Sequence, residues 1–163
     1  HGLPTRTYAE RLTLGSGDDQ VDLYYFGRGH TGGDTWVVFP SLRTMHAGDM
    51  FPSKQVPIID QSNGGSGVEY ARTLRLAHAT VTDIDAVITG HSTVMTRNDI
   101  AEMADFVDAF VAGVRAGKLA GRTAADVASS WMPAARFRPD YDVPPAERLE
   151  AYVQVIYDEL DGQ

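Results

Sequence analysis

The sequence predicts a mixed α/β domain, an α+β layered arrangement in which helices cover one face of a β-sheet. Three observations lead to this prediction. Short runs in the first half alternate apolar and polar residues between glycines and prolines, as strands do. Apolar residues in the second half recur every three or four positions, as in amphipathic helices. Ser/Thr-x-x-Asp/Glu signals mark where several helices begin. Strands followed by interleaved and then trailing helices form one sheet with a helical layer.

Five strands are predicted, four of them in two consecutive hairpins. The first hairpin turns at a Gly-containing segment and the second at Pro40-Ser41, and the fifth strand is a short buried run. The predicted strands are 11–14, 21–26, 35–39, 43–47 and 86–89. The segment 52–65 is too polar and too rich in proline and glycine for a regular element. It is either a functional loop or a solvated connector with apolar anchors, and the sequence leaves both open.

Four helices are predicted from their first turns. The start signals are Ser66-x-x-Glu69, Thr96-x-x-Asp99, Thr123-x-x-Asp126 and Pro144-Pro145. The second helix has the strongest pattern and is expected to end near Gly117. Its apolar stripe indicates core packing and consists of Ile100, Met103, Phe106, Val107, Phe110, Val111 and Val114.

Length and composition limit the classes of function. We expect residues 1–163 to form one domain, with a core at 9–116 and a helical extension at 117–163. The net charge of −8 argues against general nucleic-acid binding, and no apolar run is long enough for a membrane span. The chain has no cysteine, which excludes thiolate ligands and disulfides. Cytoplasm and periplasm both stay open, because any export signal would lie upstream of this chain.

Three strand ends carry the residues that point to chemistry. They are G-R-G-H-T-G-G-D at 27–34, H-A-G-D at 46–49 and T-G-H-S at 89–92. Each of His30, Asp49 and His91 alone has an ordinary reading as a turn residue satisfied by backbone. Together, at strand ends that meet at one sheet edge, they are the donor types of one half of a metal site.

With these motifs the chain resembles the metallo-β-lactamase-fold hydrolases, in particular their cyclase-like branch. The family fold is an αββα sandwich of two similar halves, and the chain resembles the C-terminal half. The family's H-x-H-x-D-H signature is absent from this sequence. The resemblance implies up to two Zn²⁺ ions, one taking His30, one taking His91, and Asp49 bridging them as the catalytic carboxylate. The remaining ligands belong to the missing signature.

The resemblance also implies a reaction, in which water activated by a zinc pair attacks a carbonyl or phosphoryl centre of a small molecule. His46 is expected to hydrogen-bond Asp49 from behind, and Asp34 to fix the His30 loop. Asp60 is either at the mouth of the site or solvated. Of the other two histidines, His78 is expected to be structural. His1 is either incidental to its terminal position or, if a free terminus lies near the site, a further ligand. No residue is assigned to substrate binding.

Two functions from different classes follow. The first is a zinc-dependent hydrolase, present here as a partial fold that is weakly active or inactive alone. The second is a non-catalytic, metal-free remnant or a small-molecule binding module that self-associates, because three ligands divided between two zinc ions give each at most two. A half-sandwich would also expose an apolar sheet face. We therefore expect a homodimer, or a missing N-terminal half, to cover it.

Overall fold

A computed structural model describes residues 4–162 and contains one five-stranded sheet and four α-helices. The spatial order of the strands equals their order in the chain. The first four strands are antiparallel neighbours, and β5 runs parallel to β4. The strands are β1 Arg11–Leu14, β2 Val21–Tyr24, β3 Trp36–Phe39, β4 Thr44–Gly48 and β5 Ala86–Thr89. The predicted mixed α/β fold is confirmed.

The helices begin where the capping signals predicted them. Ser66 accepts a hydrogen bond from the Glu69 amide at the start of α1, and reciprocal capping boxes open α2 and α3. The last helix follows Pro145 directly. The helices are α1 Gly67–Thr80, α2 Arg97–Leu119, α3 Ala124–Ser130 and α4 Ala146–Asp161. None of them, within the described residues, combines the length and the apolar character that crossing a bilayer demands.

The boundaries of three strands differ from the prediction, by one residue in β3 and β4 and by two residues in β2. The second strand ends at Tyr24 and not at Phe26, because Tyr24 pairs with Arg11, the first residue of β1. Beyond this pair Gly27 adopts φ +130°, a conformation open to glycine, and the chain turns into the His30 loop.

The two faces of the sheet differ sharply. Alternate residues on the first face lie in the core beneath the helices, and these include Trp36, Val38, Met45, Ala47 and Val87. The opposite face carries one row of partners in register across all five strands: Leu12, Leu23, Val37, His46 and Ile88. These side chains are half-buried, except for Ile88, which is exposed. We call this second face the open sheet face.

The C-terminal helices share the core of the sheet domain. Ile156 of α4 lies against Gly67 at the start of α1, where an added Cβ would come within 2.5 Å of it. Phe106 of α2 stacks on Tyr141, with ring centroids 4.2 Å apart. The residues after 117 therefore pack onto the same apolar cluster as the strands.

Candidate metal centre

The loop that carries His30 is fixed from within by Asp34. One carboxylate oxygen of Asp34 accepts the Thr31 amide at 2.8 Å, and the other accepts the Thr31 hydroxyl at 2.8 Å. The Gly29 amide closes the turn by donating to the Thr31 carbonyl at 3.1 Å. Short-range hydrogen bonds of this kind define the loop conformation without a regular element.

The same loop is bonded along its length to residues 60–66. The His30 carbonyl accepts the Asp60 amide at 2.9 Å, and the Gly32 amide donates to the Asn63 carbonyl at 2.8 Å. Gly65 permits this approach, since an added Cβ would lie 2.3 Å from the His30 carbonyl oxygen. The end of the segment whose role the sequence left open thus supports the histidine loop.

The His30 ring is oriented by a backbone carbonyl. Its Nδ1 lies 3.1 Å from the Ile58 oxygen, which can only accept a hydrogen bond, so Nδ1 carries the proton. In the neutral ring Nε2 then presents a lone pair, and it lies 3.7 Å from Oδ2 of Asp49. A ring nitrogen that donates to a backbone carbonyl while the other stays open is typical of a metal-ligating histidine.

Asp49 is directed toward His30 by an irregularity in β4. The pairing with β5 shifts between His46 and Gly48, and Gly48 takes φ +52°. Bulges of this kind re-aim the side chains that follow them. The carboxylate then rests against Gly90, where an added Cβ would lie 2.4 Å from Oδ1 of Asp49. Below it, the buried Tyr70 hydroxyl donates to the Asp49 carbonyl at 2.9 Å.

His91 completes the arrangement from the end of β5. Its amide donates to the Pro52 carbonyl at 2.9 Å, and its Nε2 lies 3.0 Å from Oδ1 of Asp49. Its side chain is 69% exposed, whereas that of His30 is 19% exposed. The structure therefore brings the three predicted residues together, with one imidazole facing each oxygen of the Asp49 carboxylate.

The described residues do not form a complete zinc site. Within residues 4–162 no group of three or more His, Cys, Asp or Glu side chains is arranged to hold one metal ion. His30 and His91 face different oxygens of Asp49, so any one ion meets a single imidazole and the shared carboxylate. Zinc needs four ligands, of which at least three come from protein in catalytic sites. The ligand roles of these residues stay predictions.

His46 requires a correction. It makes no hydrogen bond to Asp49 within the described chain. Its Nδ1 instead accepts the Gly48 amide at 3.0 Å, and its ring belongs to the open sheet face. The irregularity between His46 and Gly48 explains this, because it re-aims the chain after His46 and the ring meets the Gly48 amide and not the Asp49 carboxylate. His46 acts on the peptide that precedes Asp49.

The remaining candidates occupy supporting positions. Hydrogen bonds from Ser62 and Asn63 lower the pKa of Asp60. The Asp60 carboxylate caps the short 3₁₀ helix at 61–63 by accepting the Asn63 amide. Burial, and then the charge of Arg97, lower the pKa of His78 on α1, away from the site. His1 lies outside the described residues.

Two supporting side chains escaped the sequence analysis. Tyr70 is fully buried on α1, and Met50 Sδ accepts the His30 amide at 3.3 Å. Gly29 makes room for this sulfur, since its added Cβ would lie 2.3 Å from it. Its spacing of four residues from Leu74 is a helical signal that could have placed Tyr70 on the inward face of α1. No local signal pointed to its hydrogen bond with Asp49.

Comparison with known proteins supports the fold. No family model matches the chain, and no curated protein matches it. The sec-alkylsulfatase Pisa1 from Pseudomonas sp. aligns over 91% of this chain, at a TM-score of 0.74 and 12% identity. A double mutant of that enzyme aligns over 94%, at 0.75 and 10%. A metallo-β-lactamase from Pontibacter korlensis aligns over 66%, at 0.55 and 16%.

The chain has part of the metallo-β-lactamase fold. It spans 26% of the length of the alkylsulfatase chains and 50% of the Pontibacter korlensis chain. At these identities the likeness concerns the fold and not the reaction.

Proposed function

We propose that this chain is part of a metal-dependent hydrolase, in which His30, Asp49 and His91 supply ligands to a zinc pair. The observation that carries the proposal is the position of the two imidazoles, one facing each oxygen of Asp49, at 3.7 Å and 3.0 Å. A carboxylate between two histidines matches the role expected of a bridging ligand. The cyclase-like branch remains the subgroup that the sequence motifs favour.

The protonation of His30 strengthens the case for a cation. Because Nδ1 donates to the Ile58 carbonyl, the neutral ring turns a lone pair toward a carboxylate oxygen. Two acceptors that face each other repel unless a positive charge lies near both of them. A metal ion held by both groups would supply that charge.

The chain would use its own backbone groups to hold and orient the three ligand residues. The Ile58 carbonyl sets the His30 ring, the bulge at Gly48 aims Asp49, and the Pro52 carbonyl fixes the backbone of His91. If zinc were held by such ligands, it would supply Lewis acidity and lower the pKa of a bound water. The substrate is a small molecule whose class these residues do not define.

A second layer must supply the missing donors. The site lies at the rim of the open sheet face, whose central row joins Leu23, Val37 and Ile88 to His46. We propose that this face is covered by a second copy of the chain or by a polypeptide equivalent to the rest of the β-lactamase fold. Alone, the chain should hydrolyse substrates slowly or not at all.

A metal-free function is the second candidate. It is favoured by the lack of a three-donor group within residues 4–162. In that case Asp49 and His91 form an ion pair or hydrogen bond that only joins two loops. The chain would then be a self-associating remnant or a small-molecule binding module.

Zinc titration separates the two candidates. The protein is prepared without chelator, its metal content is measured by mass spectrometry, and zinc is then added while the histidine ring resonances are followed by NMR. We expect zinc in the associated fraction, with shifts at His30 and His91. We also expect His30→Ala to lose zinc and His78→Ala, which removes a histidine outside the site, to retain it. No bound metal, together with unshifted rings at excess zinc, would favour the metal-free function.

A further inference from the structure

A cavity lies beside the His30 loop and takes no part in the proposed metal centre. It has a volume of about 380 Å³, and Gly32 and Gly33 of that loop form part of its wall. The N-terminal segment also lines it, through Pro4 and residues 6–9. Small-molecule sites in proteins begin at about 300 Å³, so the space suits a ligand of modest size.

Two tyrosines give the cavity an aromatic lining. Tyr8 comes from the N-terminal segment and Tyr25 from the residue after β2. The Tyr8 hydroxyl lies 2.7 Å from the hydroxyl of Thr35, the residue before β3, and this contact holds the segment against the sheet domain. Tyrosine rings present flat apolar faces, against which another flat apolar group packs well.

The charge of the lining selects for an anion. Arg6 is the one charged side chain among the described residues that line the cavity, and no carboxylate lines it. This is unusual in a chain whose net charge is −8. A guanidinium beside aromatic rings binds a carboxylate or sulfonate through charge-assisted hydrogen bonds while the rings hold an apolar body.

We propose that this cavity binds a small aromatic monoanion, with the anionic group at Arg6 and the ring against Tyr8 and Tyr25. The proposal rests on the proposed function in one respect: if the chain is part of a hydrolase, the ligand is the part of its substrate that lies beside the metal centre. His30 is two residues from the cavity wall at Gly32, so one molecule could reach both places.

Binding of naphthalene-2-sulfonate tests the proposal. This probe carries one negative charge on a flat apolar body, and its carbon–sulfur bond is not open to hydrolysis. Affinity is measured by calorimetry and the contact is located from the amide resonances of Gly32 and Gly33. 2-Naphthol is the neutral comparison. We expect saturable binding of the sulfonate, with shifts at both glycines.

Two variants separate charge from space. Arg6→Gln should weaken sulfonate binding by about tenfold and leave 2-naphthol unaffected, because one charge-assisted contact is lost. Gly33→Leu should remove the binding of both, since a Cβ at this position meets no atom within 4 Å and the added side chain occupies free space. Arg72→Gln removes the same charge from the exposed side of α1 and should match the wild type.

Three results would overturn the proposal. They are equal affinity for the sulfonate and for 2-naphthol, unchanged binding in Gly33→Leu, and shifts confined to the open sheet face. His30→Ala keeps this test independent of the metal proposal. If this variant loses zinc but binds the probe normally, the cavity binds the anion independently of the metal centre.

Discussion

Replacing Tyr70 with phenylalanine removes one hydrogen bond from beneath the candidate site and nothing else. The side chain is fully buried, and its hydroxyl donates to the Asp49 carbonyl at 2.9 Å. Burial, and then the charges of Asp34 and Asp49, raise the pKa of Tyr70, so the phenol stays protonated and remains a donor. Phenylalanine keeps the ring and leaves the carbonyl without this donor.

The expected loss follows from the removal of a donor that is itself fully buried from a part-buried hydrogen bond. An acceptor that loses its partner away from water costs about 1–3 kcal/mol, and we expect about 2 kcal/mol in the free energy of unfolding. For a domain of this size that corresponds to a fall in Tm of roughly 4–8 °C. Because the bond holds the backbone of Asp49, zinc affinity should fall with it.

Tyr141 provides the matched control. It is also buried, but its hydroxyl has no hydrogen-bond partner within the described residues. Tyr141→Phe should therefore leave stability unchanged or raise it by up to about 1 kcal/mol, since an unsatisfied polar group is removed. Urea unfolding followed by circular dichroism measures both variants. Equal losses in the two, or a loss below about 0.5 kcal/mol in Tyr70→Phe, would refute the reasoning.

Three further changes address acid stability, the site and the open sheet face. Burial opposes the ionisation of Asp22, but hydrogen bonds from three neighbouring side chains outweigh it and lower its pKa. The ionised Asp22 carboxylate therefore stabilises the fold fully above about pH 4, and this stabilisation is lost as the pH falls through the lowered pKa. In Asp22→Asn the free energy of unfolding, measured by urea titration, should fall less between about pH 6 and pH 2 than it does in the wild type. Gly90→Ala should displace the Asp49 carboxylate and abolish the zinc-dependent shift of the His91 ring; an unchanged shift would contradict the contact. Val37→Lys should change the stability of the monomer by less than about 1 kcal/mol yet prevent association in sedimentation velocity; a persistent dimer would exclude the open sheet face as the interface.

The sequence predicted the elements because their signals are local. Ser66, Thr96 and Thr123 cap helices through hydrogen bonds that span three residues, and these contacts form wherever the helix lies. The apolar stripe of α2 likewise depends on spacing alone. The same local patterns placed His30, Asp49 and His91 at strand ends. The close approach of these three side chains to one another could therefore be predicted.

The supports of the site could not be predicted in this way. The Ile58 carbonyl that sets the His30 ring is 28 residues away in sequence, and the Tyr70 hydroxyl is 21 residues from Asp49. Neither contact leaves a periodic signal, because each joins a loop to an element that meets it only in the folded chain. The error over His46 has the same origin, since the sequence does not reveal the bulge that follows it.

The sequence by itself determined which residues form strands and helices, and which three side chains stand at strand ends. Period-two alternation also established that successive residues of each strand lie on opposite faces of the sheet. Only the tertiary structure decided that the helices cover one of them and leave the row from Leu12 to Ile88 open. The physical reason is that alternation fixes the side of a strand on which a residue lies, whereas packing partners distant in the chain decide what covers that side.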